Sequence, residues 1–503
     1  MTYETKIPCK PKEPAMHSSA AGLSTRSTRD LVAALAAREL SASELLEATI
    51  ARIERVDGAI NAVPVRDFER ARGAAAAADD ALARGERRPL LGIPMTVKES
   101  FNVAGLPTTW GFPQSAHWRA AEDAVAIARL KTAGAVIAGK TNVPFGLGDW
   151  QSYNDVYGTT NNPWDRTRSP GGSSGGSAAS LAAGYVSLEL GSDVGGSLRA
   201  PAHFCGVFSH KPTYGLVPIR GQAPPGVEFS SPPDMTVAGP LATSAGDLAL
   251  ALDVLAGPDD ADAKAYRLAL PPPRHTGVRA YRVLVLDEHP DFPASAGVRG
   301  AVERVATELV KAGASVARGT PLLPDLARNA RTFTGLLFAA MAARWPRSVI
   351  ARLQAAAAAL DPADDSLAAA RTRGAVMSHS AWMMLDGERI AERARWRELF
   401  HAFDVVVCPA MPTEAFPHDH SPDFNARRID VGGTPHSYPD QVVWAGVPTA
   451  VGLPATTVPI ERSADGLPVG VQVVGARLED RTTIAFAAIL EEMFGGFVAP
   501  AET

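Results

Sequence analysis

Two clusters of glycine and serine, Gly171 to Ser177 (GGSSGGS) and Gly191 to Ser197 (GSDVGGS), constrain this chain more than any other feature. Glycine is spent at such density where backbone must turn sharply or approach other backbone closely. One cluster alone reads as a turn. Two clusters separated by the length of a single helix, the second carrying Asp193, are harder to read as filler. Gly195 and Gly196 let the backbone aim consecutive N–H groups at one point, as stabilisation of an oxyanion requires. Ser197, at the end of the run, is then placed as a nucleophile.

A serine hydroxyl becomes nucleophilic only when a base takes its proton. Lys98 follows directly on a short apolar strand segment, Ile93 to Val97, and is better placed than any histidine near the clusters. To act as a base it must be neutral, so burial and neighbours must lower its pKa from about 10.4. The competing reading of Lys98 is a surface ion pair.

Two other motifs match by letters alone. Gly134-Ala-Val-Ile-Ala-Gly139-Lys140-Thr141 fits G-x-x-x-x-G-K-[ST]. Its middle residues prefer a strand and Pro144 stands where the following helix should run, so phosphate binding is not expected. Gly171-Gly172-Ser173-Ser174-Gly175 fits the nucleophile elbow G-x-S-x-G, which needs a strand directly before it. Asp165 to Pro170 is polar instead. An esterase of α/β-hydrolase type using Ser173, with a later histidine such as His379, His418, His420 or His436, is therefore the runner-up.

Helical and strand patterns alternate along the chain, which predicts α/β layering: a mixed, largely parallel central sheet covered by helices on both faces. Ser41-Ala42-Ser43-Glu44 has capping-box spacing and opens a helix with Leu46, Ile50, Ile53 and Val56 at helical period. Residues 1–27 read as an irregular arm and 28–495 as one domain. A region at 325–400 is almost wholly helical and carries Trp345, Met377, Trp382, Met383 and Met384. Apolar residues on helices usually face a core, and core packing is the favoured reading here; a lid or entrance for substrate is the alternative.

Composition removes several function classes. With 49 basic and 54 acidic residues the net charge is -5, a poor basis for neutralising nucleic-acid phosphates. Cys9, Cys205 and Cys408 are too few and too scattered for a disulfide framework, which favours a reducing, cytoplasmic setting. No apolar run is long enough to span a membrane, and the polar N-terminal stretch lacks an apolar signal core. His418-Asp419-His420 offers two metal-ligand types without further ligands, so neither metal nor cofactor is expected.

The segment from Asn162-Pro163-Trp164 through PGGSSGGSAAS and LGSDVGGSLRAPAHFCGVFSHKPTYGLVP closely resembles the amidase signature family. LGIPMTVKES, AGKTN, VVVCPAMPT, AGVPTAVGLPATTVP and GLPVGVQVVG resemble it too, so the likeness runs from about residue 28 to 495. It implies the amidase signature fold and a catalytic triad of Ser197 (acylated nucleophile), Ser173 (proton relay, after a cis Gly172–Ser173 peptide) and Lys98 (general base). By the same resemblance the N–H groups of Val194, Gly195, Gly196 and Ser197 form the oxyanion hole, and Asp193 and Arg199 support that loop. Glu99 stands where the family often has Asp, a departure that bears on the orientation of Lys98.

The family hydrolyses carboxamides. The resemblance places Phe145 to Trp150 beside the nucleophile, with Leu147, Gly148, Asp149 and Trp150 as substrate contacts. Small apolar aryl or alkyl amides, anilides or carbamates are the expected substrates, with a homodimer as an allowed assembly and no nucleic-acid or membrane partner. The family also contains the amidotransferase subunit of glutamine-dependent tRNA amidation, which makes the alternative reading a partner-dependent component of an assembly. A catalytically dead binding protein is disfavoured because all three triad positions are filled.

Overall fold

The computed structural model describes residues 26–227 and 233–501. The arm expected at 1–27 lies almost wholly outside them, and Ser27 already caps a helix, Thr28–Ala37. Eleven strands form one sheet: β1 (Val65–Arg66), β2 (Pro94–Lys98), β3 (Val136–Thr141), β4 (Leu188–Asp193), β5 (Phe208–Lys211), β6 (Val237–Ala242), β7 (Arg282–Val285), β8 (Ser315–Ala317), β9 (Val405–Pro409), β10 (Ala455–Arg462) and β11 (Pro468–Gly475). Their spatial order is β1-β3-β2-β4-β6-β5-β10-β11-β9-β7-β8.

The class is mixed α/β. Parallel pairing occupies two blocks, β3-β2-β4 and β9-β7-β8, where helices such as Val125–Thr132 and Ala296–Lys311 carry the chain from one strand to the next. The strands between those blocks are antiparallel. β2, β3 and β4 are buried at every position, although β4 carries Glu189, Ser192 and Asp193.

The capping box forms: Ser41 and Glu44 exchange hydrogen bonds at the start of helix Ala42–Ile60, and Leu46, Ile50 and Ile53 are buried along it. The letters of the phosphate loop fall in β3. There Lys140 is buried and donates to Pro107 O and to Thr108 Oγ1 (2.8 Å), so it meets protein acceptors.

The helical region resolves into Leu326–Ala342, Arg347–Ala358, Leu367–Ala375 and His379–Ala402, inserted between β8 and β9. Phe333, Leu336, Leu337, Trp396 and Phe400 enter a core with Trp150, Phe204 and Trp444. Core packing fails for Met383 and Met384. They sit on the outer side of His379–Ala402 and are 53% and 77% exposed.

Candidate active site

The site assembles where β2 and β4 end. These strands are parallel neighbours, with Thr96 opposite Glu189 and Val97 opposite Leu190, so Lys98 and Ser192-Asp193 emerge at the same edge of the sheet. Ligand sites of α/β sheets lie outside such carboxyl ends. The first Gly/Ser cluster crosses this edge and enters helix Gly175–Ala182, every residue of which is buried. The packing there dictates composition. A side chain at Gly176 would fall on the main-chain N and O of Asn142 at the end of β3. The Gly172–Ser173 peptide is cis, as the family resemblance implies.

Lys98 is fully buried and is no surface ion pair. Its Nζ donates to Ser173 Oγ at 2.7 Å and to Ser192 Oγ at 3.0 Å, with Ser192 O at 3.5 Å. Burial lowers its pKa to about 7, against the opposing pull of the Asp193 charge. A buried amine of that pKa beside a hydroxyl can exchange protons with it near neutral pH. The carboxylate of Glu99 turns away from the lysine, accepting from the N–H groups of Thr109 and Trp110 and from Tyr157 O–H.

Ser197 is 8% exposed, the most open of the three. Its loop is tied to the first cluster by Ser174 N–H donating to Ser197 O at 3.2 Å. Among the described residues no hydrogen bond joins the Ser173 and Ser197 hydroxyls directly. Asp193 organises the loop: Oδ1 accepts from Gly196 N–H and Oδ2 from Leu198 N–H, both at 3.0 Å. Arg199 grips the same carboxylate with Nε (3.1 Å) and Nη2 (2.9 Å) and reaches Ala445 O, Thr449 Oγ1 and Gln472 Oε1. Burial opposes the Asp193 charge, but Arg199 and the Leu198 N–H outweigh it and hold the carboxyl down at about 2.

Of the four expected oxyanion donors, Gly196 N–H is therefore already bonded to Asp193. Those of Val194, Gly195 and Ser197 have no acceptor among the described residues. Gly196 adopts φ +96°, where an L side chain is strained, and a Cβ there would sit 3.1 Å from Ala445 Cβ, a tight contact that Ala445 would have to yield to.

The segment Phe145–Trp150 divides into two parts. Asp149 is committed to protein: Oδ2 accepts from Arg427 Nη1 and Oδ1 from Tyr438 O–H, each at 2.6 Å. The Trp150 indole N–H donates to Gly195 O at 2.8 Å, so this ring braces the second cluster. Gly148 faces Met341, and the open side of Gly195 faces Val442 and Leu337. Helix Leu326–Ala342 thus borders the Gly195–Ser197 loop with apolar side chains.

The family model for amidases matches residues 44–484. This chain is a member of the amidase signature family. It is 35% identical to a glutamyl-tRNA(Gln) amidotransferase subunit of Anaeromyxobacter sp. (strain K), over 94% of this chain and 97% of that protein. It is 32% identical to fatty-acid amide hydrolase 2-A of Danio rerio, over 93% and 88% respectively. Among solved structures, a chain from an inhibitor-bound vestigial complex, tied to the evolutionary origins of an s-triazine catabolic enzyme, superposes with a TM-score of 0.79. That chain is 31% identical, over 95% of this one and 100% of its own length. The chain is accordingly a hydrolase of carbon–nitrogen bonds with the amidase signature fold.

Within this amidase the structure gathers Lys98, Ser173, Asp193, Ser197 and Arg199 at one sheet edge. It gives Ser173 a lysine partner, not a histidine: His418 Nε2 meets Asn161 Oδ1 and His420 stacks on Tyr153. Two buried neighbours escaped sequence reading. Ser192 bonds Lys98, and Gln222 Nε2 donates to Ser192 Oγ at 2.6 Å and to Ser100 Oγ at 3.0 Å. Ser192 stood inside the second cluster and was open to suspicion; Gln222, in a distant loop, carried no signal. No helix among the described residues is long and apolar enough to cross a membrane.

Proposed function

We propose that this amidase cleaves carboxamide C–N bonds through an acyl-enzyme on Ser197. Neutral Lys98 takes the proton of Ser173 as Ser173 takes that of Ser197, whose Oγ bonds to the substrate carbonyl carbon. The resulting oxyanion is met by the N–H groups of Val194, Gly195 and Ser197, with Gly196 engaged by Asp193. The proton returns through Ser173 to the departing amine as the C–N bond breaks. Water then repeats the sequence on the ester, releasing the acid and restoring Ser197. The observation that carries this reading is the 2.7 Å contact between the buried Lys98 Nζ and Ser173 Oγ, beside the loop that presents Ser197.

For the substrate we favour small apolar aryl or alkyl amides, anilides or carbamates. The support is the apolar border formed by Leu337, Met341 and Val442. In this reading residues 28–495 act as one unit, and helix Leu326–Ala342 shapes the acyl side. The second reading, one component of an amidotransferase, draws on the 35% identity to such a component over nearly the full length.

Release of 4-nitroaniline from 4-nitroacetanilide, followed for the purified chain and for Ser197→Ala, tests the proposal. Turnover by the chain alone that vanishes in a folded Ser197→Ala protein supports a self-sufficient amidase. Undiminished turnover by Ser197→Ala overturns the assignment of Ser197. Glutamine hydrolysis that needs an added partner supports the second reading.

A further inference from the structure

We propose that Gln222 is a positioning residue for the base, keeping Lys98 neutral through the hydroxyl of Ser192; this rests on the reading of Lys98 as the base. Three observations carry it. Lys98 Nζ has only three close oxygen neighbours among the described residues, Ser173 Oγ, Ser192 Oγ and Ser192 O. Ser192 Oγ is shared, since Gln222 Nε2 donates to it from the other side at 2.6 Å. The amide is buried and its second contact, Ser100 Oγ at 3.0 Å, fixes its position.

The loop that delivers Gln222 is itself held. Asn102 N–H donates to Gly221 O, Val125 N–H donates to Arg220 O, and Gln222 N–H closes a turn on Ile219 O. The amide therefore arrives at Ser192 by backbone design of residues 219–222, from an element that shares nothing else with the triad.

A lysine ammonium presents only donors, whereas the neutral amine presents two donors and one lone pair. The charged form is stabilised by the oxygens that accept from it. Gln222 directs a competing N–H at one of those oxygens, so Ser192 Oγ is a poorer acceptor for the ammonium than an unshared hydroxyl. The effect is greater on the ammonium, which can only donate to the oxygens around it, than on the amine, which can accept from one of them.

The charged groups around the lysine leave this influence visible. Asp193, on β4, favours the ammonium but is bound by Arg199. Glu99, directly after β2, faces Thr109, Trp110 and Tyr157, and Glu189, on β4, faces Thr96.

The test is the pH dependence of kcat/KM on an amide that the enzyme turns over, for wild type, Gln222→Met, Gln222→Glu and Lys98→Met. Removing the donor in Gln222→Met moves the midpoint of the acid limb upward by about one pH unit, leaving the alkaline plateau within a few-fold of wild type. Gln222→Glu, of the same size, replaces the donor by an acceptor and moves it further. A merely structural role lowers the plateau without moving the midpoint. In a Ser192→Ala background, where the bridge is gone, Gln222→Met adds no further shift. A midpoint unmoved in both Gln222 variants overturns the proposal, provided that Lys98→Met has lost the acid limb. An acid limb that persists in Lys98→Met overturns the reading of Lys98 beneath it. If Gln222→Met does not fold, Gln222→Glu decides by the same measurement.

Discussion

The indole of Trp150 and the carbonyl of Gly195 form a 2.8 Å hydrogen bond that holds one edge of the peptide leading to Gly196. The opposite edge is held by Gly196 N–H on Asp193 Oδ1. A loop clamped at both ends needs no reorganisation when charge develops on a substrate oxygen, which is where such donors do most for catalysis. Trp150→Phe keeps an aromatic ring in this core but removes the N–H together with the five-membered part of the indole. The loss of one buried hydrogen bond of about 1 kcal/mol should lower kcat several-fold with little change in KM. Steady-state kinetics on any accepted amide, with circular dichroism to show an intact fold, checks this.

The Lys98 pKa of about 7, set by burial, gives the pH profile its sign. Below that pH the amine carries a proton and cannot act as a base. Activity should therefore fall about tenfold per pH unit under pH 6 and level off above pH 8. A rate that declines from pH 7 to pH 9 in a folded protein contradicts the assignment.

Arg199 and Asp193 form an ion pair with no solvent exposure on either side chain. Arg199→Met leaves the Asp193 charge buried without its partner, at a cost of about 3–5 kcal/mol. Denaturant unfolding at pH 7 should register that loss. Because the folded pKa of Asp193 lies below that of an ordinary carboxyl, the pair's contribution is complete above about pH 4 and disappears as pH falls through about 2. The gap between wild type and Arg199→Met should close over that acidic range.

Leu337 comes nearest to the open side of Gly195 from the inserted helices. Leu337→Ala should shift preference toward bulkier acyl groups, raising the ratio of kcat/KM for a branched over an acetyl anilide by about tenfold. Paired assays of two anilides measure it directly.

Much of this molecule is legible in its sequence. The capping box at Ser41 and Glu44 specifies a helix start by local hydrogen bonding, and it forms. The two Gly/Ser clusters could be recognised because close packing of helix Gly175–Ala182 on β3 tolerates nothing larger at Gly176. What stayed hidden depends on contacts between distant segments. Gln222 reaches Ser192 across the fold, and Trp150, expected as a substrate contact, spends its polar atom on Gly195. The antiparallel strands at the middle of the sheet leave no mark either, since segments as short as Phe208–Lys211 carry no signal of strand direction. Met383 and Met384 defeat the periodicity rule because apolar content alone does not say which side of a helix meets the core.

The helices between Leu326 and Ala402 leave the sheet at β8 and return at β9, on either side of β7. Strands lie about 4.8 Å apart, so exit and re-entry are separated by roughly 10 Å. An excursion of four helices thus hangs from two adjoining anchor points, while Lys98, Ser173 and Ser197 rest on β2, β4 and the helix between β3 and β4. Changes on the exposed side of that excursion, as at Met383 and Met384, leave the registers of β2 and β4 intact, whereas Phe333, Leu337, Trp396 and Phe400 share a core with Trp150. Under the proposed function, acyl preference and the hydrolytic chemistry then rest on different stretches of one chain, joined where Leu337 meets the Gly195 loop.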